Sequence, residues 1–378
     1  MMKILIVNTL YHPFKVGGAE VSVQLLAEGL VAAGNSVRVV SLHDQDTKKM
    51  DIVNGVEVSY LPLFNKYWPY ANYMPTRLEK LIWHLLDTYN VVMAKRVESE
   101  ILNFKPDIVH TNNLAGFSVA VWSIVNKHKI PLVHTSRDYY LHHPNSTLFK
   151  KGKIQSTNDI EVKLWSFIKR KASKKVTSYV GISKFILNFH LNEGFFNNKN
   201  ADFIYNPIEK VFVNKEKPTK CVGFIGRLSE DKGFDVFCDI AKKNRTENIK
   251  FIAAGKFPNG SEGDQLKKIA DESNVELLGF INFKSFISQV DSVVLPIKWN
   301  EPFGRVVVES ALAGVNVYTN KIGGVAELFD FFDNIYEIKE FSSNVKQVVK
   351  KNITMDFNIK KNVELYVLIY EKVLKDET

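Results

Sequence analysis

The chain is poor in cysteine. Cys221 and Cys238 are the only two among 378 residues, too few for a disulfide framework or a cysteine-built zinc site. No apolar run approaches the roughly 20 residues that cross a bilayer. The opening stretch, Met1 to Asn8, is too short for a signal peptide, and no small-residue cleavage site follows it. A cytosolic protein is expected. Neither half carries a Gly-x-Gly-x-x-Gly turn after a strand, so Asp44 at the end of the second strand does not make a nicotinamide-dependent oxidoreductase. Low-complexity segments and internal repeats are lacking too. What is present, 45% hydrophobic and 24% charged residues, is ordinary for a globular protein, and the length suits two domains.

The net charge of +9 is unevenly placed. Residues 1–206 hold 25 Lys and Arg against 16 Asp and Glu, whereas the remainder is balanced at 25 of each. A one-sided field of this kind favours anionic partners. The densest segment, Lys163–Lys175, has a helical pattern with Trp165 and Ile168 on one face and cations around it. Two readings stay open: a core-packed helix with a solvated face, or a helix lying on anionic lipid headgroups at a membrane surface. Paired zinc ligands and RNP-type aromatic strings are lacking, so nucleic acid is not an expected partner.

The first half alternates strand and helix patterns. Strands are expected at Lys3–Asn8, Ser36–Leu42, Glu57–Leu61, Ile108–His110, Leu132–Thr135, Val180–Ile182 and Phe203–Tyr205. Helices are expected over Val21–Ala33, over one long stretch from Arg77 to Phe104, from about Ala115, over the basic segment and from Lys184. After Asn206-Pro207 the pattern restarts. Strands begin at Cys221, Phe251, Glu276, Ser292 and Val315, with helices between them, and an amphipathic helix over Phe357–Leu374 ends the chain. Repeated β-α-β units imply parallel, doubly wound sheets. The expected fold class is therefore α/β, two tandem Rossmann-like domains facing across a cleft. Their boundaries are 1–206, 207–355 and a terminal helical segment 356–378.

Ligands of such sheets bind beyond the carboxyl ends of the strands, and three segments fall there. Gly226-Arg227-Leu228-Ser229-Glu230-Asp231-Lys232-Gly233 follows the strand at Cys221–Ile225. Gly226 permits a tight exit, and Arg227 and Lys232 put two cations near a helix N-terminus, a setting for phosphate. The segment from Asn300 to Glu309 follows the strand at Ser292–Pro296. Pro302 suits a helix start, and the amides of Phe303 and Gly304 suit an anion or sugar hydroxyls. Glu309 lies about 7–8 Å further along that helix at 1.5 Å per residue, so Glu301 and Glu309 can accept hydroxyl hydrogen bonds at two points of one extended ligand. Glu309 lies among apolar neighbours, where a carboxylate needs a partner. Gly17-Gly18-Ala19-Glu20 lies after the first strand.

The set Gly17-Gly18-Ala19-Glu20, Pro106–His110, Ile204–Ile208, Gly226–Gly233, Glu301–Glu309 and Gly323–Glu327, in that order along nearly the whole chain, resembles the GT-B retaining glycosyltransferases of family 4. That resemblance implies a nucleotide-sugar donor, UDP- or GDP-linked, on the C-terminal domain and an acceptor on the N-terminal one. Arg227 and Lys232 would grip the diphosphate, and Gly226 would let the chain turn there. Glu309 would accept from the ribose hydroxyls, and Glu301, Phe303 and Gly304 would hold the sugar. Gly17 and Gly18 would close on the diphosphate from the other domain, and Leu278-Gly279-Phe280 would frame the base. The terminal helix would cross back to the first domain. Neither metal nor cofactor is implied, since cations of the chain replace the metal. A glycan or lipid-linked acceptor in surface polysaccharide or lipopolysaccharide assembly is the associated role.

The resemblance has one departure. Where many members carry histidine or His-Asp facing the donor sugar, this chain has Arg137-Asp138. Arginine is permanently protonated and cannot act as a general base, so Arg137 and Asp138 enter as binding candidates, with His110 as a nearby strand-end histidine. The substitution sustains a second reading, a non-catalytic partner subunit on the same fold. A metal-dependent transferase built on Asp44-Gln45-Asp46 is disfavoured by the polar loop around that triplet.

Overall fold

A computed structural model describes residues 1–14, 17–71, 73–196, 200–211, 220–342 and 355–376. The chain divides into two compact units. The first comprises Met1–Thr147, Ser156–Pro207 and Phe357–Thr378, the second Leu148–Gln155 and Ile208–Asp356.

The elements of the first unit begin with β1 (Lys3–Val7), α1 (Gly18–Ala32), β2 (Ser36–His43), β3 (Lys49–Val53) and β4 (Val56–Pro62). They continue through α2 (Arg77–Thr88), α3 (Val91–Phe104), β5 (Ile108–Thr111), α4 (Ala120–Lys127) and β6 (Leu132–Ser136). A short pair that groups with the second unit intervenes, β7 (Phe149–Lys150) and β8 (Lys153–Ile154). The first unit resumes with α5 (Ile160–Ser173), β9 (Ser178–Gly181), α6 (Lys184–Asn192) and β10 (Ala201–Phe203). Its eight strands run β10-β9-β6-β5-β1-β2-β4-β3, all pairs parallel except β3 with β4.

Alternation along β1 and β5 explains the layers. Leu5, Val7 and Val109 point to one face, where α3 and α4 bury Met93, Val97, Ile101, Trp122 and Val125. Ile4, Ile6 and Ile108 point to the other, where α1 buries Val23, Leu26 and Leu30. A sheet buried on both faces needs near-continuous apolar strands, and KILIV supplies one. Each such side chain contributes roughly 1.5–3 kcal/mol on burial.

The second unit holds β11 (Cys221–Ile225), α7 (Phe234–Lys243), β12 (Lys250–Ala254), α8 (Ser261–Glu272), β13 (Glu276–Gly279), α9 (Phe283–Ile287), β14 (Ser292–Leu295), α10 (Arg305–Leu312), β15 (Asn316–Thr319) and β16 (Ile335–Glu337). Its parallel sheet has the order β13-β12-β11-β14-β15-β16. The chain then returns to the first unit as α11 (Ile359–Lys375), which packs on α1. The fit is close: a Cβ on Gly29 would stand 2.5 Å from a methyl of Val363.

Several sequence expectations need correction. The stretch from Arg77 to Phe104 is two helices, because Asn90 caps a new one by accepting from the Met93 amide at 3.1 Å. The helix expected from Ala115 starts at Ala120, after Gly116 and Ser118 have adopted positive φ. Pro302 precedes rather than opens α10, whose N-cap is Gly304. In the basic helix α5 the inner face is Val162, Ser166, Lys169 and Ala172, whereas Ile168 is exposed and Trp165 only half-buried. Lys169 is turned into the core and is removed from the surface cations.

Candidate functional site

In the second unit the strand order reverses direction at β11, whose neighbours are β12 and β14. The crevice beyond the carboxyl ends of such a pair is the usual ligand position, and the loops after β11 and β14 carry the predicted groups. Lys232, from the first loop, pairs with Glu301, from the second, at 2.5 Å. Its ammonium also stands 4.9 Å from the centre of the Trp299 ring. The side chains of Lys232 and Glu301 are 23% and 14% exposed, partly withdrawn from water yet reachable. Arg227 is paired with Asp231 at 2.7 Å and more open, and Asp231 is itself held by the Ser229 hydroxyl.

Main-chain contacts fix these loops. Gly233 caps α7 at φ +77°, and a Cβ there would stand 1.9 Å from the Pro296 carbonyl oxygen. The Lys298 amide donates to the Asp231 carbonyl at 2.9 Å, and its ammonium pairs with Asp235 at 2.6 Å. Gly226 donates its amide to Ala254 at 3.0 Å. Gly255 approaches so closely that a Cβ on it would stand 1.7 Å from the Gly226 oxygen. Arg227 and Lys232 therefore hang from a closely packed backbone.

Glu309 finds the partner its apolar setting demands. Arg305, one turn earlier on α10, meets it at 2.7 Å. Burial raises the Glu309 pKa, and the neighbouring guanidinium opposes that rise. Phe303 is buried, and Gly304 caps α10 at φ +86°. Gly279, at φ +66°, accepts the Gly255 amide at 2.8 Å. Phe280 is exposed, with Lys256 5.3 Å from its ring centre. Trp299 and Arg305 were not singled out from the sequence. The spacing of Arg305 and Glu309, four residues apart on a helix, was the available signal for one of them.

The first-unit candidates have a different character. Gly17 donates its amide to Glu20 at 2.9 Å and Gly18 opens α1. His110 is buried between the Tyr370 hydroxyl (2.7 Å) and Thr135 (2.8 Å), and burial lowers its pKa to about 3. Arg137 is 6% exposed and donates to Asn112 at 2.9 Å and Asn206 at 2.6 Å. Asp138 accepts the Tyr140 amide at 2.8 Å, and burial raises its pKa to about 6. Arg137 and Asp138 line one small cavity with Asn112 and Ser136. The structure thus brings Lys232 with Glu301, Arg305 with Glu309, and Arg137 with Asp138. His110 instead ties α11 to the sheet. The triplet Asp44-Gln45-Asp46 lies exposed after β2.

Residues 16–210 match Glycosyltransferase Family 4, and residues 206–363 match Glycosyl transferases group 1. The chain belongs to this glycosyltransferase family. It is 46% identical to an uncharacterized 42.6 kDa protein in the cps region of Klebsiella pneumoniae, over 99% of this chain and 100% of that protein. Among solved structures, sucrose-phosphate synthase from Thermosynechococcus elongatus superposes with a TM-score of 0.74 at 16% identity, covering 100% of both chains. Anabaena Alr3699/HepE in complex with UDP-glucose does so at 0.62 and 18% identity, covering 100% of this chain and 92% of that one. These structural likenesses carry the fold, which is GT-B.

Proposed function

We propose that this glycosyltransferase moves a sugar, with retention at the anomeric carbon, from a UDP- or GDP-linked donor to a glycan or lipid-linked acceptor. The role we assign it is surface polysaccharide assembly on the cytoplasmic side of the membrane. The observation that carries this is the Lys232–Glu301 pair seated on Trp299 beyond β11 and β14. Two supports come from similar proteins: the Klebsiella relative is named for a cps region, and the Anabaena structure holds UDP-glucose.

In this reading the donor diphosphate takes Lys232 and Arg227, and Glu301 turns its free oxygen to the sugar hydroxyls. Glu309, oriented by Arg305, accepts from the ribose. The bond between the anomeric carbon and the β-phosphate oxygen breaks as the acceptor oxygen bonds to that carbon on the same face. The acceptor proton passes to the departing phosphate oxygen, and the nucleoside diphosphate leaves. Negative charge collects on that phosphate during the step, so a preplaced ammonium stabilises the transition state more than the ground state. Two cations of the chain do the work that a divalent ion does elsewhere.

Thermal melting with UDP and GDP, each with and without EDTA, tests this. A ligand at about 100 times its dissociation constant stabilises by about 2.7 kcal/mol, a shift of several degrees. Stabilisation by one nucleoside diphosphate that survives EDTA is the expected result. Loss of the shift in EDTA removes metal independence, and no shift with either nucleotide removes the donor assignment.

A further inference from the structure

The surface that α2 and α5 turn away from the core is apolar. On α2, Leu78, Leu81, Leu85 and Leu86 are 41–66% exposed; on α5, Ile160, Leu164, Phe167 and Ile168 are 43–77% exposed. Each set recurs at helical spacing and so forms one stripe. The opposite faces carry the inward groups, Trp83 and Asp87 on α2 and Val162, Ser166 and Lys169 on α5. Both inner faces rest on one residue. The Tyr140 hydroxyl donates to the Asp87 carbonyl at 3.0 Å, and the Tyr140 carbonyl accepts from Lys169 at 2.7 Å. His84 of α2 and Trp165 of α5 meet edge to face at 6.1 Å and close the seam. Both outer stripes therefore face away from Tyr140, on two helices that touch at this seam.

Contiguous apolar surface of this kind marks a protein or membrane contact. Charge decides between them. Arg77, Lys80, Lys163 and Lys171 on these two helices are exposed. The acidic groups of the same helices are fewer: Glu79 is held by the Thr76 cap and Tyr73, Glu161 is half-exposed beside His143, and Asp87 is inside, so the exposed cations outnumber the acids outside four to two. A second copy docked face to face would bring together two surfaces of the same net positive charge. An anionic bilayer meets both requirements, since headgroups pair with the cations while the leucines and Phe167 enter the acyl boundary. No helix among the described residues is long and apolar enough to cross a membrane.

We propose that α2 and α5 together form a platform that seats the protein on anionic phospholipid, with Leu78, Leu81, Leu85, Leu164 and Phe167 inserted and Lys163 and Lys171 at the headgroups. The site is independent of the donor pocket, although a lipid-linked acceptor gives it a purpose.

Flotation of the full chain with phosphatidylcholine vesicles, with and without phosphatidylglycerol, is the test. The protein should float only with the anionic vesicles. The combined substitution Leu81→Glu, Leu164→Glu and Phe167→Glu should lower partitioning at least tenfold with its melting temperature retained. Lys163→Glu with Lys171→Glu, which leaves the apolar stripe intact, should weaken binding at low salt. Three results would overturn the proposal: no flotation of the unmodified protein, equal flotation of the apolar variant, or a sedimentation dimer that the apolar variant dissolves. Nucleotide-induced stabilisation of these variants reports on the donor pocket separately, so either reading can fail without the other.

Discussion

The Lys169 ammonium stands 3.7 Å from the centre of the Tyr140 ring and donates to the carbonyl oxygen of that same residue at 2.7 Å. Lys169 is fully buried, and Asp87 and Asp138 are its counter-charges. Burial lowers its pKa to about 8, with the two carboxylates pulling the other way.

Removing this cation leaves two buried carboxylates uncompensated. Breaking a buried charge pair from one side costs about 3–5 kcal/mol, so Lys169→Met should lose stability on that scale in urea unfolding. A loss below about 1 kcal/mol would mean that the aspartates are neutral in the native protein at neutral pH.

Mild acid should destabilise the first unit. Burial lowers the pKa of His84 to about 4, His110 to about 3 and His190 to about 4, and holds those of His134 and His142 well below the usual histidine value. A base with a depressed folded pKa contributes stability above its unfolded value near 6.5 and loses it as pH falls toward the folded value. Asp87 and Asp138, raised by burial to about 6, act oppositely: their contribution is present below about 4 and fades as pH rises through 6. With His43, which burial also lowers, six histidines oppose two aspartates, so the melting temperature should fall from pH 7 to pH 5. Each histidine adds up to about 1.4 kcal/mol per pH unit. His142, whose ring nitrogens have no hydrogen-bond partner and which packs on Phe189 and Phe195, offers the check. His142→Phe should flatten the slope; an unchanged slope would remove it from the set.

Lys232→Ala should lower sugar transfer by on the order of a hundredfold, about 2.7 kcal/mol at 1.36 kcal/mol per decade. Arg227→Ala should do likewise. Lys232 also neutralises Glu301, so Lys232→Ala, Glu301→Gln and the double variant form a cycle. Neighbours of this kind couple by roughly 0.5–3 kcal/mol, and strictly additive losses would mean that the two side chains act apart. Near-normal turnover in both cation variants would remove them from the mechanism.

Arg305→Met should leave Glu309 buried without its guanidinium, raise the carboxyl pKa further and weaken nucleotide binding. Calorimetry at pH 6 and pH 8 reads this. The variant should recover affinity as pH rises and Glu309 ionises, and equal losses at both values would contradict the assignment.

Gly233 and Gly279 both have positive φ, but only Gly233 is crowded. Gly279→Ala should cost about 1–2 kcal/mol of backbone strain. Gly233→Ala, pressed on the Pro296 oxygen, should cost more and displace Lys232. A thermal melt of the two variants ranks them, and equal losses would show that the crowding is relieved by the chain.

The strands and the donor-side loops were legible because they obey local rules: KILIV reads as a two-face-buried strand, and GRLSEDKG announces its cations. Other parts follow no local rule. The edge strand β3, KMDIV, is largely exposed and carries no alternation to detect. In α5, hydrophobicity points the wrong way, since leucine and phenylalanine are outside while serine and lysine are inside. Only the tertiary partners Tyr140, Asp87 and Asp138 explain that inversion. The roles of Arg137 and His110 depend on Asn206 and Tyr370, 69 and 260 residues away, which no window along the chain contains.

The return of α11 to α1 bears on how the chain matures. Tyr366 and Tyr370 complete the hydrogen bonds of Thr135 and His110, and they leave the ribosome after the second unit. The unit synthesised first therefore waits with an open flank while the later one, whose strands are contiguous, can close. A polypeptide stopped before residue 357 would hold a finished second unit beside a first that has no cover for its central histidine.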